Sequence, residues 1–234
     1  MPSLLDNDKL VIDAPELGCI VYVPGLPGGS NTLYERSPYC NIGTITGATW
    51  KRLESGLWYL SYDGTDDYVD FGAPPVFTIN KYITLEAWIY LDAKTADYQT
   101  IMGRYDSAAE GKVAYALWIN TSDNLAFLIS EDGASFDDAT VSITTGAWHH
   151  VAGVYDGTSV SVYLNGSPTS QATDISSIYS ATCNFLIGAQ HDTGGGHRRY
   201  FGGDVALARV YNFPCSSLQI QEHFQREKHL FGVW

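Results

Sequence analysis

Residues 148–166 read W-H-H-V-A-G-V-Y-D-G-T-S-V-S-V-Y-L-N-G, two alternating apolar stretches that flank the turn Asp156-Gly157-Thr158. Along the second arm Val160, Val162 and Leu164 point one way while Ser159, Ser161 and Tyr163 point the other, the period-2 pattern of a strand with one buried face. Asp-Gly supplies the turn, because glycine accepts a positive φ without penalty and aspartate hydrogen-bonds its own backbone. The second arm ends at Asn165-Gly166, another turn dipeptide, so a further antiparallel strand is expected after it. The stretch is a β-hairpin, and it places the chain in the all-β class.

Working outward, residues 19–23, 50–53, 57–62, 68–71, 84–91, 100–104, 115–120, 125–130 and 140–143 precede the hairpin as strands, and 185–188 and 205–211 follow it. Their spacing of about 10 to 15 residues is that of antiparallel two-sheet β-sandwiches and jelly rolls. A single short helix is expected near the C-terminus. Ser216 or Ser217 caps it, and Leu218, Gln221, Glu222, Phe224 and Gln225 continue it with one apolar stripe that should pack across a sheet edge or end. Residues 1–17, with Pro2 and Pro15, read as an N-terminal arm, and 18–234 as one domain.

Composition agrees with this reading. The 234 residues are 45% hydrophobic and include 16 Tyr and 6 Trp, which suit pleated, half-buried surfaces better than helices. Thirteen basic against 26 acidic residues give a formal charge of −13, which repels phosphate backbones and anionic membranes, so nucleic acid is excluded as a partner. No stretch approaches the roughly 20 apolar residues of a spanning helix, so no membrane insertion is expected. The start M-P-S-L-L-D-N-D-K-L carries neither the basic nor the apolar part of a signal peptide, so synthesis in the cytoplasm without secretion is expected. Cys19, Cys40, Cys183 and Cys215 are too few and too scattered for a disulfide scaffold, and free thiols are expected. A bridge between Cys183 and Cys215 is left open by sequence.

Segments T-I-T-G-A-T-W at 44–50, L-S-Y-D-G-T-D-D-Y-V at 60–69, T-L-E-A-W-I-Y at 84–90, the hairpin, F-L-I-G-A at 185–189 and F-G-G-D-V-A-L-A-R-V-Y-N at 201–212 occur in this order. This ordered set resembles the laminin G-like, concanavalin A-like lectin/glucanase jelly-roll domains. The resemblance covers about residues 44–218 and implies two stacked antiparallel sheets, one convex and one concave, used to bind sugars or protein partners. In many relatives the closing run carries an acidic residue that helps hold a structural calcium. Ala206 occupies that place here, and its methyl group cannot coordinate calcium.

Several residues are candidates for chemistry. Asp63, Asp66, Asp67 and Asp70 put four carboxylates within eight residues, and Asp63, Asp66 and Asp67 are the metal candidates, with calcium as the one cofactor that such hard oxygen ligands suggest. Turn formation at Asp63-Gly64 accounts for them as well. His149 and His150 are adjacent on a strand and so face opposite sides, one satisfied in a core or interface and one exposed. His191 and His197 share a loop without a defined third ligand. That loop, residues 190–203, holds three consecutive glycines and gathers His197, Arg198 and Arg199 on an acidic protein. Arginine presents a planar donor fork suited to carboxylates or to the hydroxyls of acidic sugars. Trp58, Tyr59 and Trp118 are candidate sugar platforms, because a flat ring packs on the C–H face of a pyranose. Neither an E-x-D-x-x-E run, a nucleophile elbow nor a phosphate-cradling loop occurs, so catalysis is not expected.

Three functions follow from these observations. The first is a non-catalytic module that recognises a glycan or glycoprotein through Trp58, Tyr59, Trp118, His197, Arg198 and Arg199. The second is a structural component of a larger assembly, such as a phage or virus decoration or fibre protein, displayed on the particle and docked through the N-terminal arm, with a homo-oligomer compatible. The third is a polysaccharide-cleaving enzyme.

Overall fold

The structure is a computed structural model that describes residues 5–6, 9–10, 17–27, 31–106, 112–192 and 196–234. Most of the N-terminal arm expected at 1–17 lies outside the described residues; within it Leu5–Asp6 pairs antiparallel with Lys9–Leu10.

Two large antiparallel sheets carry the fold. The first runs, edge to edge, through Asp137–Ser142, Asn124–Ile129, Val113–Ile119, Gln99–Tyr105, Leu186–Ile187, Tyr68–Asp70, Ile42–Thr46 and Thr32–Tyr34. The second runs through Ser167–Ala172, Ser159–Leu164, Trp148–Tyr155, Ile83–Leu91, Gly202–Tyr211, Trp58–Asp63 and Thr49–Arg52, and Cys19–Tyr22 also pairs with Gly202–Tyr211. The hairpin read from sequence pairs Tyr155 with Val160 and Val151 with Leu164. Asp156 Oδ1 accepts from the N–H groups of Thr158 (2.8 Å) and Ser159 (2.8 Å), as an aspartate-led turn requires. The strand expected after Asn165-Gly166 is Ser167–Ala172.

The inward faces of both sheets share one core that reaches from Ile20 to Val210. Across it Gly153 of the second sheet lies against Phe127 of the first, where an added Cβ would overlap the ring. In the strand Gly202–Tyr211 the register breaks between Ala206 and Arg209, and Leu207 adopts a φ of 47°. The strand pairs with Trp58–Asp63 before this bulge and with Cys19–Tyr22 after it. The bulge thus hands the strand from one neighbour to another.

Ser216 caps the helix Ser217–Glu227, with Gln219 completing a capping box. Its placement corrects the expectation from sequence. The helix lies over the outer face of the second sheet, with Phe224 stacked 5.8 Å from Trp88, rather than across an edge. Its buried residues are Ile220, His223 and Glu227, while Leu218 is 63% exposed. Polar residues face inward because polar partners wait beneath them. No helix among the described residues is long and apolar enough to cross a membrane. All four cysteines are free thiols, and Cys183 and Cys215 pack in different clusters.

Candidate functional site

The outer face of the first sheet carries an aromatic cluster around Trp118. Register places Thr100 opposite Trp118 and Trp118 opposite Ala126, and the small Ala116 and Ala126 give the indole a flat bed. Tyr98, just before the strand Gln99–Tyr105, and Tyr105 at its end bring their rings to 4.4 and 5.5 Å from Trp118. Phe136 meets Trp118 edge-on at 6.0 Å.

A small hairpin lies on this face. Gln190–His191 pairs with His197–Arg198, and the Thr100 N–H donates to the Arg199 carbonyl (2.8 Å) while Gly202 N–H donates to Gln99 Oε1 (3.0 Å). These bonds pin the hairpin to the strand Gln99–Tyr105 and set Arg199 over the rings. Its guanidinium carbon lies 4.2 Å from the Tyr98 ring centroid, 5.8 Å from Tyr105 and 5.7 Å from Trp118, a cation held by three rings. Arg199 Nη1 donates to Gln190 Oε1 (3.3 Å), and Thr100 Oγ1 donates to the same oxygen (3.3 Å). Arginine can only donate, so this pair fixes the orientation of the Gln190 amide.

Several nitrogen donors here are left over. Trp118 Nε1, Gln190 Nε2 and Arg199 Nε are buried without a hydrogen-bond partner among the described residues. Each such group costs about 1–3 kcal/mol when buried unpaired. Next to them Arg198 approaches Asp97 and Asp192 at 3.8 Å each, and Arg199 approaches Asp97 at 3.6 Å, ion-pair distances too long for hydrogen bonds. His197 stacks on Tyr68 at 4.1 Å. Burial holds both His191 and His197 below the usual histidine pKa, so the positive charge of the patch resides in its arginines.

Two stacked antiparallel sheets are what the ordered segments of the sequence foretell. A laminin G-like family model, described as the concanavalin A-like lectin/glucanases superfamily, matches residues 63–221, more than half of the chain. The chain belongs to the concanavalin A-like lectin/glucanases superfamily. No curated protein matches it in sequence. Solved structures resemble this superfamily member in fold. The binding domain of Paraclostridial Mosquitocidal Protein 1 superposes with a TM-score of 0.70 at 11% identity, covering 91% of this chain and 55% of that one. The binding domain of botulinum neurotoxin serotype G gives 0.70 at 8% identity, covering 90% and 51%. A mutant of Trypanosoma rangeli sialidase displaying trans-sialidase activity gives 0.67 at 17% identity, covering 95% and 35%. The chain thus spans about half the length of the toxin domains and about a third of the sialidase.

Of the residues singled out from sequence, the jelly roll brings Trp118, His197, Arg198 and Arg199 to one face. Trp58 and Tyr59 go to the second sheet. Trp58 is half-buried beneath the Arg52 guanidinium at 5.7 Å, and Tyr59 meets Trp148 edge-on at 5.3 Å. Tyr98 and Gln190 join the site although no local pattern selects them. Tyr98 sits in a polar stretch without strand periodicity, and Gln190 opens a glycine-rich segment.

Asp63, Asp66 and Asp67 do converge, with oxygens within 4.8 Å of one another. Asp63 Oδ1 accepts from Thr65 N–H (2.8 Å) and Asp66 N–H (3.3 Å), and Asp67 Oδ2 accepts from Asp63 N–H (2.9 Å). The donor type and span fit calcium, and the turn bonds account for the same arrangement. Asp70 turns away to accept from Asn184 Nδ2 at 2.9 Å. Ala206 is buried with Trp88 and Leu230, which makes its position an apolar contact for the C-terminal segment.

His149 and His150 face apart as expected, but both are buried, at 8% and 0% exposure, which corrects the expectation that one is exposed. His149 Nε2 meets Thr144 Oγ1 at 3.0 Å. His150 joins a polar network beneath the helix. Glu86 lies 2.6 Å from His150 Nε2 and 2.9 Å from His223 Nδ1, and Arg209 pairs with Glu227, which also accepts from Trp88 Nε1 at 2.8 Å. The helix covers these groups, so they fasten the C-terminus to the sheet.

Proposed function

We propose that the chain is a non-catalytic binding module that takes a glycan, free or on a glycoprotein, on the outer face of its first sheet. One observation carries the reading: Arg199 stacked on Tyr98 and backed by Tyr105 and Trp118. Such a cluster offers ring faces for sugar C–H groups and donors for sugar oxygens. The superfamily, and the likeness to two toxin binding domains, support it at the level of fold. The likeness to a sialidase is also one of fold alone. The test is a broad glycan array with the purified chain and its Tyr98→Ala variant. Binding that the variant loses supports the reading, silence across the array overturns it, and release of reducing ends from a polysaccharide panel would overturn the non-catalytic part.

The assembly reading is favoured by a different feature. Tyr34, Tyr39 and Ile42 are 56%, 52% and 58% exposed at or beside the edge strand Thr32–Tyr34, and exposed apolar groups on a sheet edge invite a second chain. Light scattering tests it, and a monomer at high concentration counts against self-association.

A further inference from the structure

The site's polar groups are unbalanced in a way that selects among sugars. Trp118 Nε1, Gln190 Nε2 and Arg199 Nε can only donate, and none finds an acceptor among the described residues. Trp118 and Gln190 are 2% and 1% exposed. They are held in one cluster by the Thr100–Gln190–Arg199 bonds and by the register of Thr100 with Trp118. Asp192 lies 3.8 Å from Arg198, and the acidic side chain that faces Arg199 is Asp97. It is 57% exposed, stays 3.6 Å from Arg199, and already accepts from Tyr98 N–H at 2.7 Å with the oxygen that faces Arg199. Three donors thus stand without an acceptor among the described residues, while the two arginines face Asp97 and Asp192 at 3.6–3.8 Å, too far for hydrogen bonds.

We propose that this site selects glycans bearing a carboxylate, of the uronate or sialate type. The proposal rests on the binding reading above and names its ligand class. A carboxylate is acceptor-only and takes two donors at once, whereas a neutral sugar hydroxyl brings a proton that itself needs an acceptor. Tyr98 packs on both Trp118 and Arg199 and belongs to a segment whose preceding residues 93–97 are exposed, so its ring is the group that yields as the carboxylate enters. Arg198, beside it and 41% exposed, adds attraction at the rim.

The experiment is calorimetric titration with sialyllactose and with an oligouronate, each beside its counterpart in which the carboxylate is reduced to the alcohol. Whichever acid source is correct, reduction is expected to weaken binding by roughly ten- to a hundredfold, the worth of a charge-assisted hydrogen bond. Arg199→Gln should weaken the acid by about the same factor and the reduced sugar by much less, so that the preference for the acid collapses. Arg199→Lys, which keeps the charge without the fork, should fall between, and it replaces the glutamine variant if that one does not fold. Equal binding of acid and alcohol, or binding confined to neutral glycans, overturns the acid selectivity and leaves the binding module standing. Silence on acidic and neutral panels alike overturns both.

Discussion

Glu86 and His150 lie 2.6 Å apart beneath the C-terminal helix, both fully buried. Burial by itself would raise the carboxyl pKa, but the Arg209 charge and the bonds from His150 and His223 outweigh it and hold Glu86 well below the usual carboxylate range. A group depressed in this way adds stability above its unfolded pKa of about 4.3, and the contribution is lost as pH falls toward the folded value. Glu86→Gln should therefore cost about 3–5 kcal/mol at pH 7 by leaving Arg209 and the helix undercompensated. Urea midpoints should show the gap between wild type and variant narrowing below about pH 4. A gap unchanged down to about pH 3, past the unfolded value, would refute the assignment.

Gly153 tests the fit of the two sheets. A methyl group there overlaps Phe127, so Gly153→Ala should cost about 1–3 kcal/mol. Combining it with Phe127→Ala, which removes the ring atoms that the added methyl meets, should recover at least about 1 kcal/mol against the sum of the two single changes. Additive costs in denaturant melts would show that the two residues do not press on each other.

The parts legible in sequence are local. The 148–166 hairpin, the serine cap at 216 or 217 and the turn at Asp63 each rest on residues within a few positions of one another. The site depends on distant pairings. Thr100 meets Gln190 across 90 positions, and nothing near either residue announces the other. The segments Gln190–His191 and His197–Arg198 read as a plain loop because the glycines between them hide the pairing. The helix face departs from its sequence pattern for a similar reason: His223 faces inward toward Glu86, 137 positions away, where an apolar stripe would favour Leu218.

Asp67 gives a charge test with calcium as its second arm. Burial, and then the charges of Asp63 and Asp66, hold its carboxyl above the usual value. A carboxyl raised on folding stabilises below its unfolded pKa and loses that contribution as pH rises through the folded value. Asp67→Asn keeps an acceptor for Asp63 N–H and removes the charge, so it should raise the melting temperature at neutral pH and lose the advantage below the ordinary aspartate pKa of about 3.9. Millimolar calcium should raise the wild-type melting temperature by relieving the same repulsion, with a smaller rise in the variant. Melting curves indifferent to calcium and to chelator would remove the ion from the proposal.

Trp88 and Trp118 form a matched pair on opposite sheets. Both are essentially buried, at 0% and 2% exposure. Trp88 Nε1 donates to Glu227 at 2.8 Å, while Trp118 Nε1 has no acceptor among the described residues. Replacing either by phenylalanine removes similar apolar mass, so the difference between the two costs isolates the hydrogen bond. Trp88→Phe breaks a bond to a buried carboxylate and should cost about 1.5–3 kcal/mol beyond the lost packing. Trp118→Phe removes an unpaired donor, which offsets part of the packing loss, so its net cost should stay below about 1 kcal/mol. The same change should weaken binding of a carboxylate-bearing glycan, because the donor that burdens the free protein serves the bound one. Equal destabilisation by the two substitutions would mean that Trp118 already has its partner, and the orphaned-donor basis of the acidic-sugar site would fall with it.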